Sequence, residues 1–269
     1  MQADTTTHQQ AFPAIGQIAA DMPRIGDRFE LHGVDGWLQG RTMYGGASSF
    51  LAYAAARKAL PDLPPLRGAQ IGFIAPVTPD MDIAVSVLRQ GKSVSQIQTD
   101  LYCEGALAHR GLWLFGSARP SNGGIAPGKC EGFLPYEAME PVASPEGLHF
   151  VRNLDIRRAE PEGGIQPGTL RRWVRIRDRA GLDPIGELVL IGDALPPGSI
   201  RAMERQGPIS SINWSLTVLG DAHTTREGWW LLETSSNHMA DGFSSETLRM
   251  WNADGVEVMR GLQSVAIFG

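Results

Sequence analysis

The chain has little that would favour covalent cross-linking, membrane insertion or binding to polyanions. Its 269 residues include two cysteines, Cys103 and Cys130, too few for a disulfide framework, so both are predicted to be free thiols. No apolar run approaches the roughly 20 residues that a membrane helix needs. The net charge of −5 gives no electrostatic reason to expect nucleic acid or an anionic membrane as a partner. The opening residues lack the basic and apolar regions of a secretory signal, which predicts a soluble cytoplasmic protein.

Familiar catalytic motifs are also missing. The sequence has no G-x-S-x-G, no Walker loop, no H-E-x-x-H and no C-x-x-C. Its six histidines lack metal-ligand spacing, so we expect neither a metal nor another cofactor. Asp27 and His32 stand five residues apart, as an acid and a base might, but in a strand this spacing puts them on opposite faces. We interpret them as surface residues.

What the sequence does contain is an internal repeat. The stretches GALAHRGL (105–112) and GVEVMRGL (255–262) share Gly, Arg, Gly and Leu at identical spacing, and Ser95 and Ser245 hold the same offset. Between them, residues 119–147 are dense in Pro and Gly without clear periodicity, which is typical of a linker. The sequence therefore predicts a unit at 1–118, a linker at 119–147 and a second unit at 148–269.

The order of predicted elements agrees with a duplication. Each unit has two short strands, a helix and four further strands. The first helix is GGASSFLAYAAARKAL (45–60), and the second lies in IGELVLIGDALPPGSIRAME (185–204), where Pro196 and Pro197 must kink or end it. We predict an α+β protein in which each copy wraps a curved antiparallel sheet around its helix.

Four segments resemble the type II acyl-CoA thioesterases and their thioesterase-like relatives. They are MYGGASSFLAYAAARKALP, LVLIGDALPPG, ISSINWSLTVL and DGVEVMRGLQSVAIF. The resemblance spans most of the chain and implies the double hotdog fold. It also implies an acyl-CoA substrate, which would be hydrolysed to a carboxylic acid and free CoA without a cofactor.

In that family, as the resemblance implies, a carboxylate, a hydroxyl and a glutamine orient a water onto the thioester carbonyl. Carried onto this sequence, the carboxylate position falls on Asn213, the glutamine on Gln263 and the hydroxyl position near Asn237. An amide cannot take a proton, so Asn213 cannot be a general base. Candidates for that role are Asp193, Glu233 and His238.

The remaining candidates concern the substrate. Gly45 and Gly46 open the first helix, where its N–H groups could approach a carbonyl oxygen or phosphate, although the pair fits a tight turn equally well. Asp193 and His238 complete the predicted substrate-binding set. By the offset of the repeat, Gln263 corresponds to Trp113, so we predict that the second unit keeps the site and the first has filled it.

Two other functions stay open. A protein that binds an acyl thioester without cleaving it would explain Asn213 in place of an acid. An enoyl-thioester hydratase is also compatible with the fold, but it needs an acid–base pair that only Asp27 and His32 suggest. Sheet-edge pairing in the family implies a homodimer or a larger homo-oligomer.

Overall fold

A computed structural model describes residues 13–143, 148–160, 164–221 and 223–268. In the first half the elements are α1 Ile15–Asp21, β1 Arg24–Ile25, β2 Arg28–Leu31, β3 Leu38–Gln39, β4 Thr42–Met43, α2 Gly45–Ala59, β5 Leu66–Phe73, β6 Met81–Gln90, β7 Val94–Cys103 and β8 Ala106–Gly116. In the second half they are β9 Leu154–Arg158, β10 Thr169–Ile176, α3 Pro184–Ile191, β11 Ile209–Val218, β12 Trp230–Ala240, β13 Phe243–Trp251 and β14 Glu257–Ile267.

Twelve of these strands form one antiparallel sheet, in the order β1-β2-β6-β7-β8-β5-β11-β14-β13-β12-β10-β9. Strands β3 and β4 form a separate small ladder. The two halves join where β5 pairs with β11, with Ala69 opposite Leu216. Read outward from this junction, β5-β8-β7-β6-β2-β1 has the same arrangement as β11-β14-β13-β12-β10-β9. The structure thus has the duplicated α+β plan that the element order predicts.

The repeated residues around the turns into β8 and β14 play matching roles. Gly105 and Gly255 both have a positive φ, +79° and +73°, which favours glycine because it has no Cβ. The serines at the same offset do not match. Ser95 is buried opposite Phe115, whereas Ser245 is exposed opposite Ser264. The turns between the paired strands differ in length, so the common offset does not extend back from β8 and β14 to Ser95 and Ser245.

Part of the segment predicted as a linker packs against the second half. The indole N–H of Trp173 donates to the carbonyl of Leu134 over 2.9 Å. The ring of Tyr136 stacks on Trp229, with ring centroids 5.4 Å apart, and Arg157 donates to the Tyr136 carbonyl over 2.8 Å. Together with neighbouring apolar residues these rings form a second, smaller core. Residues 144–147 of the same segment lie outside the described residues.

Helices α2 and α3 meet at Gly46, which lets their backbones approach closely. A Cβ atom on Gly46 of α2 would lie 2.2 Å from the carbonyl oxygen of Leu190 in α3. The Tyr44 hydroxyl, just before α2, donates to the same carbonyl over 2.6 Å. This carbonyl belongs to the last turn of α3, where carbonyl groups lack helical partners. The start of α2 is therefore fixed against the end of α3.

This contact predicts a strong effect of a single methyl group. Gly46→Ala should lower the unfolding free energy by about 2 kcal/mol or more, since the new Cβ would collide with backbone rather than with a flexible side chain. Urea unfolding measures the change. Gly124→Ala is the matched control, because a Cβ on Gly124 has nothing within 4 Å. Equal destabilisation of both variants would contradict the close packing of α2 on α3.

Candidate active site

Three polar side chains from the second half form a connected network near the seam between the halves. The side-chain amide N–H of Gln263, on β14, donates to the Asp193 carboxylate over 2.5 Å. The Ser211 hydroxyl, on β11, donates to the Gln263 carbonyl oxygen over 3.3 Å. Gln263 is 4% exposed, and a buried amide of this kind needs partners at both ends. Asp193 and Ser211 supply them.

A β-bulge brings Ser211 into this network. Strict alternation along β11 would place Ser211 and Asn213 on one face and Trp214 on the other. In the structure the pairing of β11 with β14 shifts between Ser211 and Asn213. Ser211 consequently shares the inner face with the fully buried Trp214, and Asn213 is exposed. Bulges of this kind re-aim a side chain and are common beside active sites.

The N-terminus of α2 completes the cluster from the first half. A Cβ atom on Gly45 would lie 2.4 Å from a carboxylate oxygen of Asp193, so this position has no room for a side chain. Helix α2 has neither a side-chain cap nor an acidic residue in its first turn. The Asp193 carboxylate therefore supplies the negative charge that the positive end of the α2 dipole favours.

Burial dominates the protonation of Asp193. It raises the pKa of this carboxyl to about 7, because a partly buried carboxylate loses hydration. The Gln263 amide and the backbone N–H of Gly46 act in the opposite direction and stabilise the charged form. A carboxyl group with a pKa near neutrality can both accept and release a proton at physiological pH.

The structure brings together some of the sequence-predicted residues and not others. It assembles Gln263, Asp193, Gly45 and Gly46. Asn213 does not meet Gln263, and its side-chain oxygen instead accepts from the backbone N–H of Ser264 over 3.1 Å.

Two further candidates, on β12, also lie apart from the network. Asn237 is exposed at a second bulge and donates to the Thr247 hydroxyl over 2.8 Å. His238, beside it, is exposed as well. Glu233, considered as a base, forms an ion pair with Arg171. Ser211 was not among the predicted site residues, and only the bulge distinguishes it from a solvent-facing serine.

The corresponding position in the first half is filled by an indole. Trp113 is 1% exposed, and its N–H donates to the Thr99 hydroxyl over 2.7 Å. Its ring lies against Tyr53 of α2, with centroids 5.9 Å apart. The first half thus packs an apolar side chain where the second half has a hydrogen-bonded amide.

Neither a metal cluster nor a membrane-spanning helix is found in the described residues. Within them, no three His, Cys, Asp or Glu side chains stand close enough to hold a metal ion. No helix in the same ranges is long and apolar enough to cross a membrane.

Solved structures with the same architecture identify the fold. A hot dog fold protein of unknown function from Alicyclobacillus acidocaldarius matches with a TM-score of 0.84 at 17% identity, over 96% of this chain and 99% of that one. A putative thioesterase II from Thermobifida fusca YX matches with a TM-score of 0.81 at 20% identity, over 94% and 97%. An acyl-CoA thioesterase II from Mycobacterium marinum matches with a TM-score of 0.76 at 15% identity, again over 94% and 97%. The predicted double hotdog fold is confirmed.

Family models identify the class of protein. Residues 34–116 match the acyl-CoA thioesterase N-terminal domain, and residues 131–267 match the acyl-CoA thioesterase C-terminal domain. The chain therefore belongs to the acyl-CoA thioesterase family, as the sequence resemblance predicts. Comparison with curated proteins gives no significant match.

The raised pKa of Asp193 predicts a pH-dependent stability. Between about pH 4 and about pH 7 the folded protein holds a proton on Asp193 that the unfolded chain has released, so stability falls as the pH rises through this range. Asp193→Asn should remove this component. The wild type should therefore lose about 1–3 kcal/mol of unfolding free energy between about pH 5 and about pH 8 that the Asp193→Asn variant does not lose. Urea unfolding of both proteins at the two pH values measures the difference. A parallel pH dependence of the two proteins would show that Asp193 keeps an ordinary pKa.

Proposed function

We propose that this protein is a thioesterase that hydrolyses an acyl-CoA to a carboxylic acid and free CoA. The observation that carries the proposal is the hydrogen-bonded pair of Asp193 and Gln263 at the N-terminus of α2. It combines a carboxylate of suitable basicity, an amide that fixes its orientation, and a helix end that favours negative charge.

In the proposed mechanism Asp193 is the general base. Its carboxylate takes a proton from a water molecule as the water oxygen attacks the thioester carbonyl carbon, which gives a tetrahedral oxyanion and a protonated Asp193. The oxyanion then collapses, the carbon–sulfur bond breaks, and the departing CoA thiolate receives the proton from Asp193. Gln263 and Ser211 hold the carboxylate and the water in line, which reduces the entropic cost of the attack.

The first half would contribute the groups that face the developing charge. Helix α2 begins at Gly45, and the N–H groups of a first helical turn are donors of the kind that stabilise an oxyanion. The ring of Phe73 lies 3.1 Å from the position of a Cβ on Gly45, which offers an apolar wall for the first carbons of the acyl chain. The site would thus draw on both halves of the duplication.

The structure weakens the argument for a protein that binds without hydrolysis. That alternative depended on Asn213 in place of an acid, but Asn213 is exposed and the network contains Asp193 instead. A hydratase would need a histidine paired with a carboxylate. His32 contacts Asp80 over 3.3 Å on the surface, and the buried His109 contacts the Ser49 hydroxyl over 3.2 Å. Hydrolysis fits the observed groups better.

Thiol release from a panel of acyl-CoAs, from acetyl to palmitoyl and including an aromatic one, tests the proposal. Asp193→Asn should lower kcat by about 10²–10⁴-fold, because the general base is lost. Gln263→Ala should lower it by about 10–10³-fold through loss of positioning. Ser211→Ala and Asn213→Ala form a matched pair on one strand.

Ser211→Ala should lower kcat about tenfold, whereas Asn213→Ala should lower it by less than about twofold. Absence of turnover with every acyl-CoA, in folded wild-type protein beside an active control enzyme, would refute the proposed function. A larger loss in Asn213→Ala than in Asp193→Asn would refute the assignment of the base.

The pH dependence of kcat/KM gives an independent check. Because Asp193 must be ionised to act as a base, kcat/KM should rise with pH and level off above a midpoint at about 7. An acidic limb centred near 4, the ordinary range for aspartate, would mean that Asp193 is not the titrating base.

A further inference from the structure

Glu246 is a fully buried carboxylate that the proposed mechanism does not use. It lies on the inner face of β13 and is 0% exposed. It accepts hydrogen bonds from the backbone N–H of Gly198 over 2.9 Å, from the N–H of Ser199 over 3.2 Å and from the Ser244 hydroxyl over 2.5 Å. Among the described residues it takes part in no ion pair. A buried charge is costly, so an acid held by neutral donors alone calls for an explanation.

The groups that Glu246 holds belong to the segment that carries Asp193. Residues 193–197 lead from the end of α3 to a short 3₁₀ turn, Gly198–Arg201. The Thr234 hydroxyl on β12 also holds this segment, since it donates to the carbonyl of Pro196 over 2.8 Å. A Cβ on Gly198 would lie 2.0 Å from the carbonyl oxygen of Gly168, so the turn is seated tightly against the sheet. Glu246 therefore anchors the far end of the loop that begins at Asp193.

The same pair of strands holds both ends of this loop. Glu246 on β13 stands directly opposite Gln263 on β14. Gln263 holds the loop at Asp193, and Glu246 holds it at Gly198 and Ser199. Directly opposed residues in antiparallel strands keep a fixed separation, so the distance between these two anchors is set by the sheet.

The first half provides an internal comparison. There Trp113 occupies the position of Gln263, and the residue opposite Trp113 on the neighbouring strand is Ile97. Both side chains are buried and apolar. The half with the candidate site thus has a Glu and Gln pair where the other half has Ile and Trp. This pairing places Glu246 in the half that carries Asp193 and directly opposite a member of the candidate site.

We propose that Glu246 is a positioning residue, which holds the 193–201 loop so that Asp193 stays in hydrogen-bond contact with Gln263. The proposal rests on the proposed function for its catalytic consequence. Loss of the carboxylate would release the Gly198 end of the loop and let Asp193 move away from Gln263. A displacement of about 1 Å at such a site can cost about 100-fold in rate.

The test compares Glu246→Gln with Glu257→Gln. Glu257 is a suitable control because it is 1% exposed, lies on the adjacent strand β14 and accepts hydrogen bonds from Arg249 and Arg260, away from the loop. Both variants replace a buried carboxyl group with an amide of nearly the same shape. Glu246→Gln should lower kcat by about 10–100-fold with KM changed by less than about threefold, whereas Glu257→Gln should keep kcat within about twofold. Urea unfolding first establishes that both variants are folded at the assay temperature.

Two kinetic results would overturn the proposal. One is a Glu246→Gln variant that keeps kcat within about twofold of wild type. The other is an equal loss of kcat in the Glu257→Gln control, which would indicate a general effect of lost stability.

A second measurement does not depend on turnover. A loosened loop exposes Asp193 to water and lowers the effect of burial on it. The pH-dependent difference in unfolding free energy between proteins with and without Asp193→Asn should therefore shrink by at least about half when both also carry Glu246→Gln. It should keep its full size in a Glu257→Gln background. An unchanged difference in the Glu246→Gln background would overturn the positioning role. If wild type releases no thiol from any acyl-CoA, the proposed function fails, and this measurement still decides the role of Glu246.

Discussion

The close approach of helices α2 and α3 is the constraint on which the rest of the structure depends. Only glycine permits it, because a Cβ at Gly46 would collide with a backbone carbonyl of α3 and a Cβ at Gly45 would collide with the Asp193 carboxylate. The pairing of β5 with β11 joins the two halves in one sheet, but it is the helix contact that sets an acid of one half against a helix N-terminus of the other. Without that approach Asp193 would meet bulk water instead of backbone N–H groups.

The two halves share an architecture but divide the chemistry between them. At equivalent positions of neighbouring strands the first half has Ile97 and Trp113, and the second has Glu246 and Gln263. The first pair fills its space with apolar groups, which stabilise by burial. The second holds polar groups that must be satisfied by hydrogen bonds, and three of their partners, Asp193, Gly198 and Ser199, belong to the segment after α3. A duplicated fold can thus fill a position with apolar side chains in one half and keep hydrogen-bonded polar side chains at the equivalent position of the other.

Two opposing effects set the electrostatics of that site. Burial disfavours the charged form of Asp193, while the N-terminus of α2 and the Gln263 amide favour it. Burial dominates, and it raises the pKa of Asp193 to about 7. A fully exposed aspartate would be ionised but too weak a base, and one with no donors would stay protonated. The intermediate environment gives a carboxyl that is useful near neutral pH.

The sequence alone determined the duplication, the α+β class, the helix at 45–60 and the polar Gln263 on an apolar strand face, since periodicity, glycines and prolines act locally along the chain. It also marked Asp193 through its family resemblance, as a substrate contact and as one of three candidates for the general base. The partners of Gln263 were decided by the tertiary structure. A β-bulge turns Ser211 inward and leaves Asn213 exposed, and α2 brings its N-terminus to Asp193 from the other half. Strand alternation cannot reveal a bulge, because a bulge depends on how β11 pairs with β14. No local pattern reveals which distant carboxylate lies against a helix N-terminus, because that depends on how the halves pack.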